Sequence, residues 1–470
     1  MSIKDFGFWF RDFWNDFKKE KSGLVGLGII AVSLLIVILE PFCLTWDATN
    51  SKWRDISYWQ DNSPSAPPAW TNAFSSKKAA VTSKLMGGKR EETELDGGVR
   101  LVTTSYDYNF TADEAPLDLI FHCQGTGDNV NVKFDVTRPD GETIELAQRL
   151  EQGLQNADIR LSAENDGRDA AFGFLKAHES EANLASLSSE SLRSTEIIFN
   201  TAREGMSSQF KALKGHYTVT ATSMLINPDT DKIEKPYVVV TGSVSGVLGT
   251  DNMKRDIFSG LVAGLKWALF IGLFTSIVSV LIGVMYGIIS AYYGGKVDSV
   301  MQFIFQIFNS MPVMPILIVL SAIFKPNIWF LIAVMVLFFW TGSVMTVRSM
   351  ALQIKEETYI EAAKALGASN SRIIWKHMTP LLIPYSFASM ALAVPAAIVY
   401  ESSISLLGLG DATIVTWGQI LHDAMQGSAI LNHIWWWIIP PGLLIAIMGM
   451  AFAFLGFAMD KILNPKLRTR

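Results

Sequence analysis

The most definite local chemistry in the sequence lies in a charged stretch between two apolar runs. Thr358, Tyr359, Ile360 and Glu361 match a T-x-x-E capping box, in which the threonine hydroxyl accepts from one free backbone N–H and the glutamate reaches back to another. A short helix is expected to start there. Ala362, Ala363, Ala365 and Leu366 favour helix, and Gly367 is the residue that terminates one in the left-handed conformation at least cost. A second helix can begin at Ser369 or Asn370 and carry Ile373, Ile374, Trp375 and His377 until Pro380 stops it. Two short helices with apolar residues partly available suit docking to a partner, not bond-making.

The other residues with chemical potential each have two readings. Asn309, Pro312 and Pro315, with Pro384 and Pro395, either kink helices so that freed carbonyls line a pathway or are tolerated packing features. Glu401 sits just past an apolar run, as a functional ionisable group or as an interface residue. Eighteen methionines allow soft-metal binding, but they equally fill gaps between helices. His122 and Cys123 are strand neighbours whose side chains point to opposite faces, and His422 and His433 are isolated, so no metal site is assigned. The sequence has no G-x-x-x-x-G-K-[ST] phosphate cradle, so no catalytic ATP site and no bound cofactor are expected in this chain.

The elements that position these residues follow from composition. Of 470 residues half are apolar and 18% are charged, below the roughly 25% of ordinary globular chains. Part of the chain must live in lipid. A net charge of −5 offers no basic face, so nucleic acid is excluded as a partner. The two cysteines, Cys43 and Cys123, build no disulfide scaffold. Six runs are free of Asp, Glu, Lys and Arg: 22–39, 267–293, 299–324, 326–347, 378–400 and 434–459. Each is near the 20 or so residues needed to cross hydrocarbon. Basic residues gather on alternate flanks, at Lys4, Arg11, Lys18, Lys19 and Lys21, then Lys296, then Arg348, Lys355, Lys364, Arg372 and Lys376, and finally Lys461, Lys466, Arg468 and Arg470. The opposite short loops hold only Lys325, which puts both termini in the cytoplasm. Lys254, Arg255 and Lys266 run against this rule.

Residues 1–21 carry Phe6, Trp9, Phe10, Phe13, Trp14 and Phe17 at helical spacing and read as a cytoplasmic amphipathic helix. The first membrane helix, 22–46, lacks a small-residue cleavage site and reads as a retained anchor. Residues 47–247 differ in texture. They alternate apolar and polar at 99–104, 117–122, 130–136 and 217–223, with a Pro139–Asp140–Gly141 turn, and predict a β-sandwich with a helical or loop-rich insertion outside the cytoplasm. Residues 63–68 read as an extended linker into it.

The stretch around Glu361 resembles the E-A-A loop of the membrane subunits of binding-protein-dependent ABC importers, through Glu361, Ala362, Ala363, Gly367, Ile373 and Pro380. Further resemblance is to the second, C-type permease subunit of the dipeptide, oligopeptide and nickel importers. Leu248, Gly249, Thr250, Asp251, Arg255 and Asp256 are similar to that family's L-G-T-D-x-x-G-R-D segment, and Glu401, Ser402, Ser403, Leu406 to Gly410, Trp417 and Gly418 to its E-x-S-L-S-F-L-G-L-G and W-G segment. Tyr293, Gly294, Gly295, Val297 and Asp298, and the closing Asn464 and Pro465, fit as well. Lys254 replaces the family's usual glycine, and the folded insert replaces a short segment after Ala66, Pro67, Pro68 and Trp70.

The resemblance implies a type I ABC importer permease fold of six transmembrane helices, with a large extracytoplasmic mainly-β insert and a permease core at 248–470. Its loop, 348–380, would couple to ATPase subunits. Glu361 and Gly367 would set the docking geometry, with Ala362 and Ala363 allowing close approach. Read locally, Glu361 is only a cap worth about 1 kcal/mol. Implied partners are a second homologous permease, one or two ABC ATPases that bind ATP and Mg, an extracytoplasmic solute-binding protein and membrane lipid. The implied cargo is di- or oligopeptide, with nickel or another small solute as the alternative. A secondary transporter would show paired intramembrane charges or inverted repeats. A membrane-anchored sensor would use the outer domain and need no E-A-A loop.

Overall fold

The computed structural model describes residues 13–43, 53–95, 98–126, 129–152, 156–185, 187–190, 193–227, 229–324 and 327–463. Phe6, Trp9, Phe10, Lys325, Asn464 and Pro465 lie outside them. The chain divides into two compact units, one of Met1–Arg54 with Ser259–Arg470, the other of Asp55–Phe258.

The first unit is helical. Its elements are α1 (Lys21–Cys43), α2 (Ile257–Tyr293), α3 (Gly295–Ser310), α4 (Val313–Ile323), α5 (Ile328–Phe339), α6 (Thr341–Lys355), α7 (Thr358–Ala365), α8 (Thr379–Leu406), α9 (Trp417–Gln426) and α10 (Trp435–Leu463). Among the described residues five helical rods are long and apolar enough to cross a membrane, α5 with α6 forming one of them. The third expected span is broken: α3 and α4 meet at 75° and make a sixth crossing only if taken as one bent element. Met311 and Pro312 are extended at the break, where proline has no N–H to continue the helix and its ring would strike the carbonyl four residues back. Pro315 falls in the first turn of α4, where a missing N–H goes unnoticed.

The rods are longer than their charge-free runs. α2 has 37 residues, or about 55 Å at 1.5 Å per residue, and it continues through Lys266, whose ammonium is 3.0 Å from Glu40 of α1. That ion pair removes one of the three exceptions to the charge rule. Close approach is set by small residues. A Cβ on Gly26 of α1 would come within 2.4 Å of the Ala451 carbonyl of α10, and one on Gly283 of α2 within 2.3 Å of the Trp340 carbonyl.

The second unit is a sandwich of two antiparallel sheets. Its strands are β1 (Ser83–Leu85), β2 (Lys89–Glu94), β3 (Arg100–Phe110), β4 (Asp118–Thr126), β5 (Asn129–Thr137), β6 (Thr143–Gln152), β7 (Asn156–Arg160), β8 (Gly215–Leu225) and β9 (Lys232–Thr241). The sheet orders are β1-β9-β4-β7 and β2-β3-β8-β5-β6. Alternate residues of both sheets fill one core: Val102, Tyr106 and Phe110 of β3 and Val130 to Val136 of β5 share it with Leu119, Phe121 and Cys123 of β4 and Val238 and Val240 of β9. The Pro139–Asp140–Gly141 turn joins β5 and β6 as a hairpin, and the helix Asn165–His178 is inserted between β7 and β8.

Residues 63–68 are not a linker. The Ser63 hydroxyl donates to the Gly242 carbonyl at 2.7 Å, and Ser65 N–H donates to Asp251 O at 2.7 Å. Ala66 N–H donates to the Thr250 hydroxyl, the Ala66 carbonyl accepts from the Thr250 N–H, and Ser245 N–H donates to Pro67 O. Prolines cannot donate, yet their carbonyls accept, so a proline-rich stretch can still be clamped by a partner that supplies the donors. The Arg255 side chain pairs with Asp251, both buried, which accounts for a second exception to the charge rule. Lys254 takes a φ of +65°, the left-handed region glycine occupies freely, where the resembling family has glycine.

Candidate functional site

The α7 region is a platform held from beneath. Ile360 of α7 and Ile373, Ile374 and Met378 after it are buried in one cluster with Val280, Val284 and Ile288 of α2 and Val347 and Ala351 of α6. Polar contacts reinforce it. The Tyr292 hydroxyl donates to Asn370 Oδ1 at 2.8 Å, and the Lys364 ammonium lies 5.6 Å from the centre of the Tyr292 ring. Lys355 donates to the Ala291 carbonyl, and Arg348 grips Asp298 at the start of α3 with two hydrogen bonds.

Gly367 ends α7 at φ +79° with two capping bonds, Gly367 N–H to Lys364 O at 2.9 Å and Ala368 N–H to Ala363 O at 3.0 Å. These are the 5→2 and 6→1 bonds of a Schellman motif. Ser369 then caps the next helix by accepting from Arg372 N–H. The expected capping box does not form. Glu357 is the N-cap and Thr358 already the first helical residue, because the Glu357 carbonyl accepts from Ile360 at 2.9 Å and starts the helix one residue early.

Pro380 does not stop the second helix either. Asn370 to Leu406 is one continuous rod, with Ile373–Met378 wound as a π turn and Pro380 in the first turn of α8. The wider turn re-routes the ladder, Thr379 N–H reaching back five residues to Ile374 O, and this accommodates a residue with no N–H of its own.

Above this buried anchor large apolar side chains stand exposed among charged ones. Leu366 is 89% exposed, Trp375 59% and Tyr359 42%. Glu361, Ala362 and Gly367 are exposed beside them, Ala363 is half-buried, and Pro380 is exposed. Ile373 is fully buried and is an anchor of the platform, not part of its face. Leu366 is the residue sequence reasoning passed over as mere helix former. Its signal was position, since an apolar residue just before a C-terminal glycine has no turn of its own helix to cover it.

Glu401 lies within α8 and is buried. Its carboxylate accepts from the Ser405 hydroxyl at 2.8 Å and from Ser402 and Thr416. A Cβ on Gly418 would come within 2.6 Å of Ser402 Cα, and one on Gly410 within 2.1 Å of Ser405 Oγ. The Trp417 indole donates to Leu261 O of α2 at 2.8 Å, and Thr416 caps α9. The E-x-S and W-G residues thus lock α8 and α9 to α2. Asn309, Pro312 and Pro315 are exposed around the α3–α4 break, and Pro395 is half-buried within α8. The flanks of the break, Phe308 and Val313, share an apolar cluster with Tyr400 and Ile404 of α8, whereas Glu401 turns toward α9. Among the described residues no three His, Cys, Asp or Glu side chains gather as metal ligands.

Comparison with known proteins adds two matched segments. Residues 283–469 match the family described as binding-protein-dependent transport system inner membrane component, and residues 7–68 match the N-terminal transmembrane domain of oligopeptide transport permease C. Residues 69–282, which contain β1 to β9, lie between them. The chain is 36% identical over 221 residues to a dipeptide transport system permease protein of Bacillus subtilis, 47% of this chain and 68% of that one. It is 34% identical over 221 residues to an oligopeptide transport system permease protein of the same organism, covering 72% of it. An inward-facing methionine ABC transporter structure aligns over 43% of this chain and 94% of its own, with 17% identity and a TM-score of 0.32.

Proposed function

Because this chain belongs to the inner membrane components of binding-protein-dependent transport systems, and among them to the C-type permeases of the dipeptide and oligopeptide importers, we propose that it forms one half of a peptide translocation pathway driven by partner ATPases. The observation that carries the mechanism is the platform: Ile360 and Ile373 fully buried below, Leu366 and Trp375 exposed above. Such a surface transmits force only if it is rigid beneath and apolar on top. Exposed apolar side chains on a fixed turn gain about 1.5–3 kcal/mol each when a partner covers them.

In this reading Leu366, Trp375 and Tyr359 enter a groove of the ATPase, with Glu361 and Gly367 setting the approach. ATP and Mg are bound there and not here. Closure of the ATPase pair moves the rod from Asn370 to Leu406 as one body, and the α3–α4 break at Pro312 faces a second homologous permease across the pathway. Support for topology comes from the basic flanks: both termini and α7 in the cytoplasm, the sandwich outside, where a solute-binding protein delivers cargo. The relatives' names support peptides as that cargo.

The test is purification from the native membrane in mild detergent, with identification of co-purifying chains and assay of ATPase activity and peptide uptake in proteoliposomes. A second permease and one or two ATPases are expected, with uptake that needs a binding protein. A chain that emerges alone under conditions preserving other membrane complexes refutes the reading.

A further inference from the structure

The second unit holds a cavity of about 670 Å³, within the range of small-molecule sites, about 300–1,000 Å³. It is lined by Leu85, Gly88, Lys89, Tyr106, Asp107 and Thr218, among others. Strand pairing explains why it is there. β2 accompanies β3 only from Glu94 opposite Arg100 to Lys89 opposite Ser105, because Gly87, at φ +71°, turns the chain away. A Cβ on Gly88 would come within 2.8 Å of the Tyr106 ring, so the turn can press against that ring only as glycine.

β3 itself runs on to Phe110, paired with β8 along its other edge. Among the described residues no strand pairs with residues 106–110 on the side β2 has left. Likewise β1 pairs only with β9 and ends its sheet. Main-chain groups therefore border the cavity with no sheet partner, and such an edge is a template for an added strand. The rim carries both signs of charge. Lys89 is exposed, and Asp107 is exposed with only a 3.3 Å contact to His216. The Lys84 ammonium is instead held over the Tyr237 ring, 3.6 Å from its centre.

We propose that this cavity binds short peptides with free termini, laid as an added strand along the unpaired edge of β3 where Tyr106 and Asp107 line the cavity. Main-chain pairing accepts a peptide whatever its side chains, Leu85 offers an apolar contact, and Lys89 and Asp107 match the terminal carboxylate and ammonium of a zwitterion. The choice of peptide rests on the importer reading above; the free edge and the charges stand without it. A peptide site on the insert would hold cargo on the same chain that carries the permease helices.

The experiment is calorimetric titration of tetra-alanine into the assembled complex in nanodiscs, with the binding protein omitted. Saturable binding is expected, weakened about tenfold or more by Thr218→Trp, which fills the cavity. Lys89→Met, and amidation of the peptide C-terminus, should each weaken it about fivefold. Thermal melting checks each variant. If Thr218→Trp melts low, Lys89→Met and the amidated peptide decide, and unchanged affinity in both overturns the proposal. So does an absence of saturable binding, or binding indifferent to Thr218→Trp. Tetra-alanine uptake, with binding protein restored, is measured on the same proteoliposomes. Uptake without cavity binding rejects the cavity and leaves the importer standing, whereas absence of uptake for any peptide rejects the peptide reading itself.

Discussion

Replacing Leu366 with alanine separates docking from folding more cleanly than any other change in this chain. The side chain is 89% exposed, so truncation leaves the chain's own stability within about 0.5 kcal/mol. If the side chain enters an ATPase groove, the same truncation loses about 1.5–3 kcal/mol of burial, a factor of roughly 10 to 150 in association. Ile360→Ala, six residues away but fully buried in the α2–α6 cluster, should do the reverse and destabilise the permease by about 2–5 kcal/mol. The assay is retention of ATPase subunits on immobilised permease across a detergent wash, with stimulated ATPase activity and thermal melting on the same samples. Leu366→Ala should melt like the parent while losing ATPase retention. Wild-type retention and stimulation with Leu366→Ala and Trp375→Ala combined would refute the idea that this surface is the docking face.

Other expectations concern single contacts. Lys254→Gly relieves a left-handed backbone that costs about 1–2 kcal/mol in a side-chain-bearing residue; partly offset by loss of the hydrogen bond to Gln60 O, it should raise the melting temperature of the second unit. Burial pulls the His122 pKa down, but hydrogen bonds and charge from Asp158 and Asp61 outweigh it and raise it to about 9. The folded state therefore favours the protonated ring: its stabilisation is complete below about pH 6.5 and lost as pH rises through 9, and amide protection in β4 and β7, taken relative to the intrinsic exchange rate at each pH, should fall over that window in the parent but not in His122→Asn. Glu401→Ala leaves the Ser402, Ser405 and Thr416 hydroxyls without their shared acceptor and should lower stability by about 1–3 kcal/mol, while Glu401→Gln keeps an acceptor and should retain most of it, as read by melting of the purified chain.

Local chemistry was legible and long-range pairing was not. Gly367 could be read as a helix terminator because the left-handed cap depends on one residue and its immediate neighbours. Alternation in β3, β4, β5 and β8 was equally visible, since burial on one face leaves a period of two. Residues 63–68 looked like a linker because their partners at 242–251 are far away in sequence, and no local pattern records them. Pro380 was misread for a related reason: proline alone predicts a stop, but Ile373 and Met378 are buried against α2 and α6, and that anchoring favours a rewound turn over an end. Thr358 and Glu361 match a capping box in type and spacing, yet the preceding Glu357 carbonyl takes the role. Leu366 was legible only through its place just before the terminating Gly367; the extent of its exposure is a property of the fold.

The clamp that joins residues 63–69 to 242–251 bears on how such a chain could have arisen. Ala69 N–H meets Gly246 O at 3.0 Å, so entry and exit of the sandwich lie about one strand spacing apart, roughly 4.8 Å. A whole folded cassette can then be spliced into, or out of, a permease gene without displacing anything on either side of the splice. A tight turn of a few residues could join residue 69 to residue 246 in its place, and the proline-rich and L-G-T-D segments would keep the same hydrogen bonds either way. The two segments form the seam, and their hydrogen bonds to each other do not depend on what lies between them.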